Sequence, residues 1–189
     1  MSCVLDHLHD LYAHSDDPWN FAHSPYEQAK FAATRDALTR THYHAALEIG
    51  CGNGALAQHL APLCARYTGI DAVERAVAAA RERVPGATFV QDVYPCDLPL
   101  VDADLVILSE FLYFLTPALI AQLGKELIVR ARGAEVVCVT YLGETAQALQ
   151  GWDTLQIFEE ATRGDLNLAQ VADHGSYRID RGIIGEAAR

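Results

Sequence analysis

From residue 45 onward, short runs of apolar residues alternate with longer stretches in which apolar residues recur at helical spacing. Short apolar runs typical of strands buried on both faces recur between stretches of helical periodicity. The predicted strands cover residues 45–49, 66–70, 87–91, 104–109 and 134–141. The predicted helices cover residues 55–64, 72–84, 116–131 and 144–162, the last with a possible break at Gly151.

Two further apolar stretches, at residues 166–171 and 177–183, flank His174-Gly175-Ser176 and predict a hairpin. Together these elements predict an α/β fold: a doubly wound, mostly parallel, Rossmann-like sheet of seven strands that ends in a C-terminal antiparallel hairpin. In such sheets a ligand binds beyond the carboxyl ends of the strands, where the strand order reverses.

The first 44 residues precede the sheet. Ser24 followed by Glu27 forms a capping box, which predicts a helix that begins near Pro25 and ends near Leu38. Residues 14–23 then form an aromatic-bearing loop between two helices. We expect one domain over 1–189, in which residues 1–44 form a helical lid and residues 45–189 the α/β core. Trp19 in this lid could cover the cleft, and we expect the segment before Leu38 to become ordered when a cofactor binds.

Composition narrows the function classes. A chain of 189 residues fits one domain, and its formal net charge of −11 without a basic stripe argues against nucleic-acid binding. No apolar run reaches the ~20 residues needed to cross a membrane, and no basic-then-apolar leader is present, so we expect a cytoplasmic protein. Five dispersed cysteines without a C-x-x-C pair, and two His-x-His pairs without partners, indicate neither a disulfide framework nor a metal site.

The segment 47–55 (LEIGCGNGA) carries most of the functional information. Its glycines allow a tight turn and close approach of a ligand to the backbone, and they also satisfy the dinucleotide-binding pattern. Glu48 distinguishes the cofactors, because an acid near this loop suits the sulfonium and ammonium of S-adenosylmethionine better than a pyrophosphate. A purely structural role for Glu48, in which it holds the loop amides, is the alternative.

Two aspartates follow the next two strands. Asp71 lies about 20 residues after the first glycine, where an acid accepts hydrogen bonds from both ribose hydroxyls; alternatively it caps the following helix. Asp92 could accept a hydrogen bond from an adenine amino group or serve as a turn residue.

The glycine loop, Asp71, Asp92 and strand 104–109 resemble the motif series of class I S-adenosylmethionine-dependent methyltransferases. The finer pattern is similar to the nodulation protein S (NodS) type of N-methyltransferase over residues 10 to about 140. The matching segments are Asp17-Pro18-Trp19, Pro25-Tyr26-Glu27, Ala46-Leu47-Glu48-Ile49-Gly50-Cys51, Leu60-Ala61-Pro62-Leu63-Cys64 and Ser109-Glu110-Phe111-Leu112-Tyr113. Proteins of that type methylate the amine of a deacetylated chitin oligosaccharide. The segment after Thr140 matches poorly, so this substrate is not carried over.

We therefore predict S-adenosylmethionine as the cofactor and no metal. The predicted cofactor-binding residues lie at strand ends and in the lid: Trp19, Glu48, Gly50, Cys51, Gly52, Asn53, Gly54, Asp71, Ala72, Asp92, Val93 and Ser109. Glu110, just beyond the fourth predicted strand, is the candidate base that removes a proton from an amine acceptor. Its alternative role is to fix the loop or the amino-acid end of the cofactor.

Other side chains complete the predicted site. Tyr113 is a second catalytic candidate, and Tyr141 and Trp152 could line an acceptor pocket. His174 is a further place to seek a base. Lys30 could pair with the cofactor carboxylate, but a solvated helix face is the simpler interpretation.

The predicted function is that of an enzyme: N-methylation of a small amine or amino sugar. O-methylation of a hydroxyl or carboxylate is the alternative, and a non-catalytic cofactor-binding protein is a distant third. Glu48 and the lack of room for a second domain disfavour a dehydrogenase. Neither the acceptor nor the oligomeric state follows from the sequence.

Overall fold

Seven strands form a single sheet in the computed structural model, which describes residues 2–185 and the side chains of residues 5–185. The strands are β1 (Tyr43–Ile49), β2 (Cys64–Asp71), β3 (Thr88–Gln91), β4 (Leu105–Ser109), β5 (Glu135–Tyr141), β6 (Ala169–Asp173) and β7 (Tyr177–Ile183). Their order across the sheet is β3-β2-β1-β4-β5-β7-β6. The first five are parallel, whereas β7 runs antiparallel to both β5 and β6. The predicted fold class is thereby confirmed.

Within residues 2–185, six α-helices accompany the sheet: α1 (Ser2–His14), α2 (Pro25–Asp36), α3 (Ala57–Leu60), α4 (Glu74–Arg83), α5 (Pro117–Arg130) and α6 (Gly151–Thr162). Two helices begin as their sequences predict. The hydroxyls of Ser24 and Thr116 each accept a hydrogen bond from the third backbone amide of the helix at 3.3 Å, and a proline follows each of them.

Both faces of the sheet are covered because side chains alternate along each strand. Val106 and Leu108 of β4 pack toward α5 and α6, in one cluster with Leu123. Leu105 and Ile107 point to the opposite face, where α2, α3 and α4 lie. This double cover explains why the central strands are mostly apolar on both faces.

Two predicted helices differ from the structure. The predicted helix 55–64 consists of the four-residue α3 and a 3₁₀ turn, Ala61–Leu63. Pro62 lacks the amide that would continue the α-helix, so the chain turns directly into β2. The predicted helix 144–162 starts only at Gly151, whose Cα is so close to β5 that an added Cβ would lie 1.9 Å from the Tyr141 carbonyl oxygen.

The second N-terminal helix belongs to the body of the protein. Lys30, Phe31 and Thr34 of α2 are buried, and Phe31 is part of the cluster under β1. The expectation that Lys30 lies on a solvated helix face is therefore wrong. Of the segment predicted as a lid, α2 therefore belongs to the core.

Within residues 2–185, no helix combines the length and apolar character needed to span a membrane.

Candidate active site

A cavity of about 550 Å³ lies beyond the carboxyl ends of β1, β2 and β4. Its wall includes Ile49, Ile70 and Ser109, the last or next-to-last residues of those strands. The strand order reverses between β1 and β4, so the cavity lies at the switch point where ligands bind in open α/β sheets. Residues of α1, α2 and the loop between them close its outer side.

The glycine loop after β1 forms the floor of this cavity. The amides of Gly50 and Cys51 both donate to the Ile70 carbonyl, at 2.8 and 3.0 Å, which ties the loop to the end of β2. Gly50 has a φ of +80°, and a Cβ there would lie 2.8 Å from the Phe111 ring. No other residue type fits this conformation without displacing that ring.

Asp71 supports the loop from the side. One carboxylate oxygen accepts the Gly52 amide at 2.8 Å, and the other accepts the Val73 amide at 3.0 Å. Burial raises the pKa of Asp71, and these amides partly counteract that rise. Helix α4 begins at Glu74 with Val73 at its N-cap, so Asp71 is not the N-cap residue. Its carboxylate remains part of the cavity wall.

Glu48 is fully buried beneath the loop and contributes to the cavity wall. Its hydrogen-bond donor among the described residues is the Tyr67 hydroxyl, at 2.8 Å, and not a loop amide as the structural alternative supposed. Burial, reinforced by the nearby charge of Asp71, raises the pKa of Glu48 to about 8.

The structure brings most of the predicted cofactor-binding residues to this cavity. Besides Glu48 and Asp71, the wall includes Trp19, Gly50, Cys51, Gly52, Ala72, Asp92, Val93 and Ser109. Asp92 is exposed at the mouth and accepts the amide of Val93 at 2.8 Å.

Two predicted cofactor-binding residues lie away from the cavity wall. The amide nitrogen of Asn53 donates to the Asp16 carbonyl at 2.9 Å and to the Asp17 carboxylate at 3.2 Å. Its amide oxygen accepts from Arg83 at 3.1 Å. Gly54 packs against α4, where a Cβ would lie 3.0 Å from Ala80. Asn53 thus binds the N-terminal loop, and Gly54 allows the helix to approach.

Glu110 follows β4, the strand beside the one that ends in the glycine loop, and it pairs with a buried lysine. Lys30, only 2% exposed, lies 2.8 Å from the carboxylates of both Glu110 and Glu27. Burial by itself lowers the pKa of Lys30, but the two carboxylates outweigh this effect and raise it. Burial raises the pKa of Glu110 and Lys30 lowers it. The sequence predicted Glu110 at the site but not its partner Lys30, which lies 80 positions away. The i, i+3 spacing of Glu27 and Lys30 indicates an ion pair between those two side chains, but not the contact with Glu110.

Backbone geometry fixes the position of Glu110. Its φ is +52°, an uncommon conformation for a residue other than glycine, and its amide donates to the Val139 carbonyl at 2.8 Å. Tyr113 and Tyr141 line the cavity beside it. Burial, then the charge of Glu110, raises the pKa of Tyr113, so this phenol stays protonated.

The remaining aromatic and histidine candidates lie elsewhere. Trp152 is 47% exposed, with the Arg178 guanidinium 5.0 Å from its ring centre. His174 stacks on Tyr177 in the β6–β7 hairpin, with 4.6 Å between ring centres. Neither side chain is part of the cavity wall. The predictions that Trp152 lines the acceptor pocket and that His174 could act as a base are therefore wrong.

Across residues 5–185, no group of three or more His, Cys, Asp or Glu side chains is arranged to hold a metal ion.

The strand order, the glycine loop after β1 and the acid at the end of β2 define the class of fold, the Rossmann-like methyltransferase fold. Residues 5–130 match the model of the family described as Nodulation protein S (NodS). The chain belongs to this family, as the motifs predicted.

Curated relatives agree over the same region. The chain is 35% identical over 106 residues to Nodulation protein S of Sinorhizobium fredii (strain NBRC 101917 / NGR234), a match that covers 53% of this chain and 49% of the relative. It is 35% identical over 105 residues to Nodulation protein S of Bradyrhizobium diazoefficiens, covering 53% and 50%. The chain thus spans about half the length of the curated relatives it matches.

Solved structures share the fold. The crystal structure of N-methyltransferase NodS from Bradyrhizobium japonicum WM9 in complex with S-adenosyl-L-homocysteine superposes with a TM-score of 0.79 at 23% identity, covering 97% of this chain and 99% of that one. A putative methyltransferase from Pseudomonas syringae gives a TM-score of 0.69 at 26% identity, covering 84% and 98%.

Proposed function

We propose that this protein binds S-adenosylmethionine and transfers its methyl group to the amine of a small molecule. One observation carries the proposal: a single cavity is lined both by the glycine loop and Asp71 and by the Lys30-paired Glu110. We call the first set of residues the cofactor end of the cavity and the surroundings of Glu110 the acceptor end. The family relation and the S-adenosylhomocysteine complex of a structural neighbour support the cofactor.

The cofactor end offers polar groups suited to an adenosyl ligand. Asp71 would accept the ribose hydroxyls and Asp92 the adenine amino group, while the loop glycines let the ligand reach the backbone. S-adenosylmethionine supplies a methyl group activated by a sulfonium. Glu48 complements that positive charge, since a nearby cation lowers the pKa of a buried carboxyl and favours its ionised form.

The acceptor end carries a net negative charge. Glu27 and Glu110 share the single ammonium of Lys30, which favours entry of a protonated amine. The amine must then lose a proton before its lone pair can attack. We assign this proton transfer to Glu110, because burial raises its pKa, Lys30 opposes that rise and favours the ionised carboxylate, and the backbone fixes its direction. Tyr113 and Tyr141 give this end aromatic walls, which suit a cationic amine or a sugar face.

Glu110→Gln tests this assignment. The variant should bind S-adenosylmethionine as the wild type does in calorimetry, but turn over amine acceptors ~10²–10⁴-fold more slowly at neutral pH. Raising the pH should restore part of the rate, because solvent then supplies more neutral amine. Glu160→Gln, an exposed surface change, is the matched control and should leave turnover unchanged.

Other outcomes point elsewhere. No recovery at high pH would favour an alcohol acceptor, whose proton stays bound throughout that range. Loss of cofactor binding would assign Glu110 to the cofactor site. Near-normal turnover would mean that alignment alone drives the transfer.

A further inference from the structure

One buried polar group at the cavity has no role in the site described so far. Tyr12 of α1 is only 2% exposed and its side chain forms part of the cavity wall. Its ring packs with Val73 and Ala76, and the edge-to-face partner Trp19 lies 5.5 Å away between ring centres. The Tyr12 hydroxyl has no hydrogen-bond partner among the described residues. A buried hydroxyl without a partner costs stability, so its presence indicates that something else satisfies it.

The surroundings of this hydroxyl indicate which part of a ligand it meets. It lies 3.3 Å from the position that a Cβ on Gly52 would occupy, next to the loop amide that Asp71 holds. Burial and then the charge of Asp71 raise the pKa of Tyr12, so the phenol stays protonated and remains a donor. Tyr12 and Asp71 therefore face the same part of the cavity.

We infer that the Tyr12 hydroxyl donates a hydrogen bond to a ribose hydroxyl oxygen of the adenosyl ligand, an inference that rests on the proposed function. The chemistry of the two side chains is complementary. Asp71 accepts hydrogen bonds from the ribose hydroxyls. The oxygen of each ribose hydroxyl can in turn accept a hydrogen bond, which requires a donor on the protein. Tyr12 is the neighbouring group able to provide one, and it links α1 to the bound nucleoside.

The test compares two ligands that share the ribose. Calorimetry is performed on wild type and Tyr12→Phe with S-adenosylhomocysteine and with 5′-methylthioadenosine, which lacks the amino-acid end. Tyr12→Phe should weaken both by a similar factor, roughly 2- to 12-fold, because one neutral hydrogen bond is lost in each. The loss should disappear with the 2′-deoxy or the 3′-deoxy form of the ligand. Asp71→Ala serves as the positive control and should weaken both ligands more strongly.

Tyr43→Phe is the matched control for a structural hydroxyl. Tyr43 is equally buried, but its hydroxyl donates to Glu135 at 2.7 Å, far from the cavity. Tyr43→Phe should lower the melting temperature of the free protein without changing ligand affinity. Tyr12→Phe should weaken ligand binding without lowering the melting temperature, since the hydroxyl that it removes has no hydrogen-bond partner among the described residues.

Three results would overturn the inference. They are unchanged affinity in folded Tyr12→Phe, a loss seen with S-adenosylhomocysteine but not with 5′-methylthioadenosine, and destabilisation like that of Tyr43→Phe without an affinity change. If the wild type binds neither ligand, the proposed function itself fails, and this inference fails with it.

Discussion

A carboxyl group without a counter-charge lies in the middle of this protein. Glu48 is 1% exposed, and its hydrogen bond comes from the neutral Tyr67 hydroxyl. Burial therefore dominates and raises the pKa of Glu48 to about 8. The raised pKa favours the protonated form of Glu48 in the free protein, and a cation in the cavity would favour the ionised form.

This ionisation affects stability in a predictable direction. The unfolded chain releases the Glu48 proton near pH 4.5, whereas the folded protein keeps it until about pH 8. The folded state thus binds the extra proton between these values, and its stability falls as the pH rises through that window. Glu48→Gln cannot ionise and keeps an acceptor for Tyr67. The free energy of unfolding of Glu48→Gln, relative to that of the wild type, should therefore increase by up to about 1.4 kcal/mol for each pH unit.

Urea unfolding at pH 5, 6.5 and 8 measures the difference. Glu74→Gln, which alters an exposed carboxylate paired with Arg81, is the control and should show no such trend. A Glu48→Gln difference that stays constant over this range would contradict the raised pKa.

At the scale of elements, the two N-terminal helices differ in how they are attached. Helix α2 contributes Phe31 to the core and the Lys30 ion pairs to the site, so it moves with the sheet. Helix α1 packs on α4, and the loop after it is held by Phe21, which packs against Phe31 and the core, and by polar contacts. The Asn53 side-chain amide donates a hydrogen bond to the Asp16 carbonyl in this loop, and Arg75 forms an ion pair with the Asp16 carboxylate.

Hydrogen exchange should resolve this difference. Asn53→Ala removes the amide that holds the loop, so residues 10–22 should lose about 1–3 kcal/mol of protection while α2 is unaffected. Adding S-adenosylhomocysteine to wild type should increase protection of α1 and the loop but not of α2. Equal protection of residues 10–22 with and without the ligand would contradict a lid in this segment.

At the scale of the whole molecule, the layers are held together at the amino ends of the parallel strands. This side of the sheet, opposite the cavity, is the second pole of the molecule. Glu135, the first residue of β5, is fully buried and accepts the Tyr43 hydroxyl of β1 at 2.7 Å. It also accepts the amide of Thr39 at 3.0 Å and its hydroxyl, and lies 3.8 Å from the Arg181 guanidinium of β7. One carboxylate thus joins the N-terminal segment, the sheet centre and the C-terminal hairpin.

Glu135→Ala should destabilise the protein by about 3 kcal/mol, because several buried hydrogen-bond donors lose their shared acceptor. Ligand affinity of the folded protein should not change, since β5 separates this pole from the cavity by about 20 Å. Denaturant unfolding combined with calorimetry measures both quantities. A loss of affinity that parallels the loss of stability would show that the two poles are coupled.

The sequence by itself determined the features that depend on neighbours along the chain. Strand periodicity, the caps at Ser24 and Thr116, and the glycine turn followed by Asp71 at the end of the next strand are local patterns. Parallel strands bring their carboxyl ends to one edge, so these patterns also predicted where the cavity lies. Helix α3 is shorter than its sequence predicts, because apolar periodicity continues past Pro62, where the helical hydrogen bonds end.

Only the tertiary structure decided which partner each buried polar group has. Lys30 and Glu110 are 80 positions apart, and Asn53 meets a loop 36 or 37 residues earlier. Nothing in the spacing of such residues reveals their contact, because it arises when separate elements pack on the two faces of the sheet. The same packing buries the Tyr12 hydroxyl beside Asp71 and removes Trp152 from the cavity. Side-chain type is written in the sequence, whereas burial and charge environment follow from distant elements meeting in space.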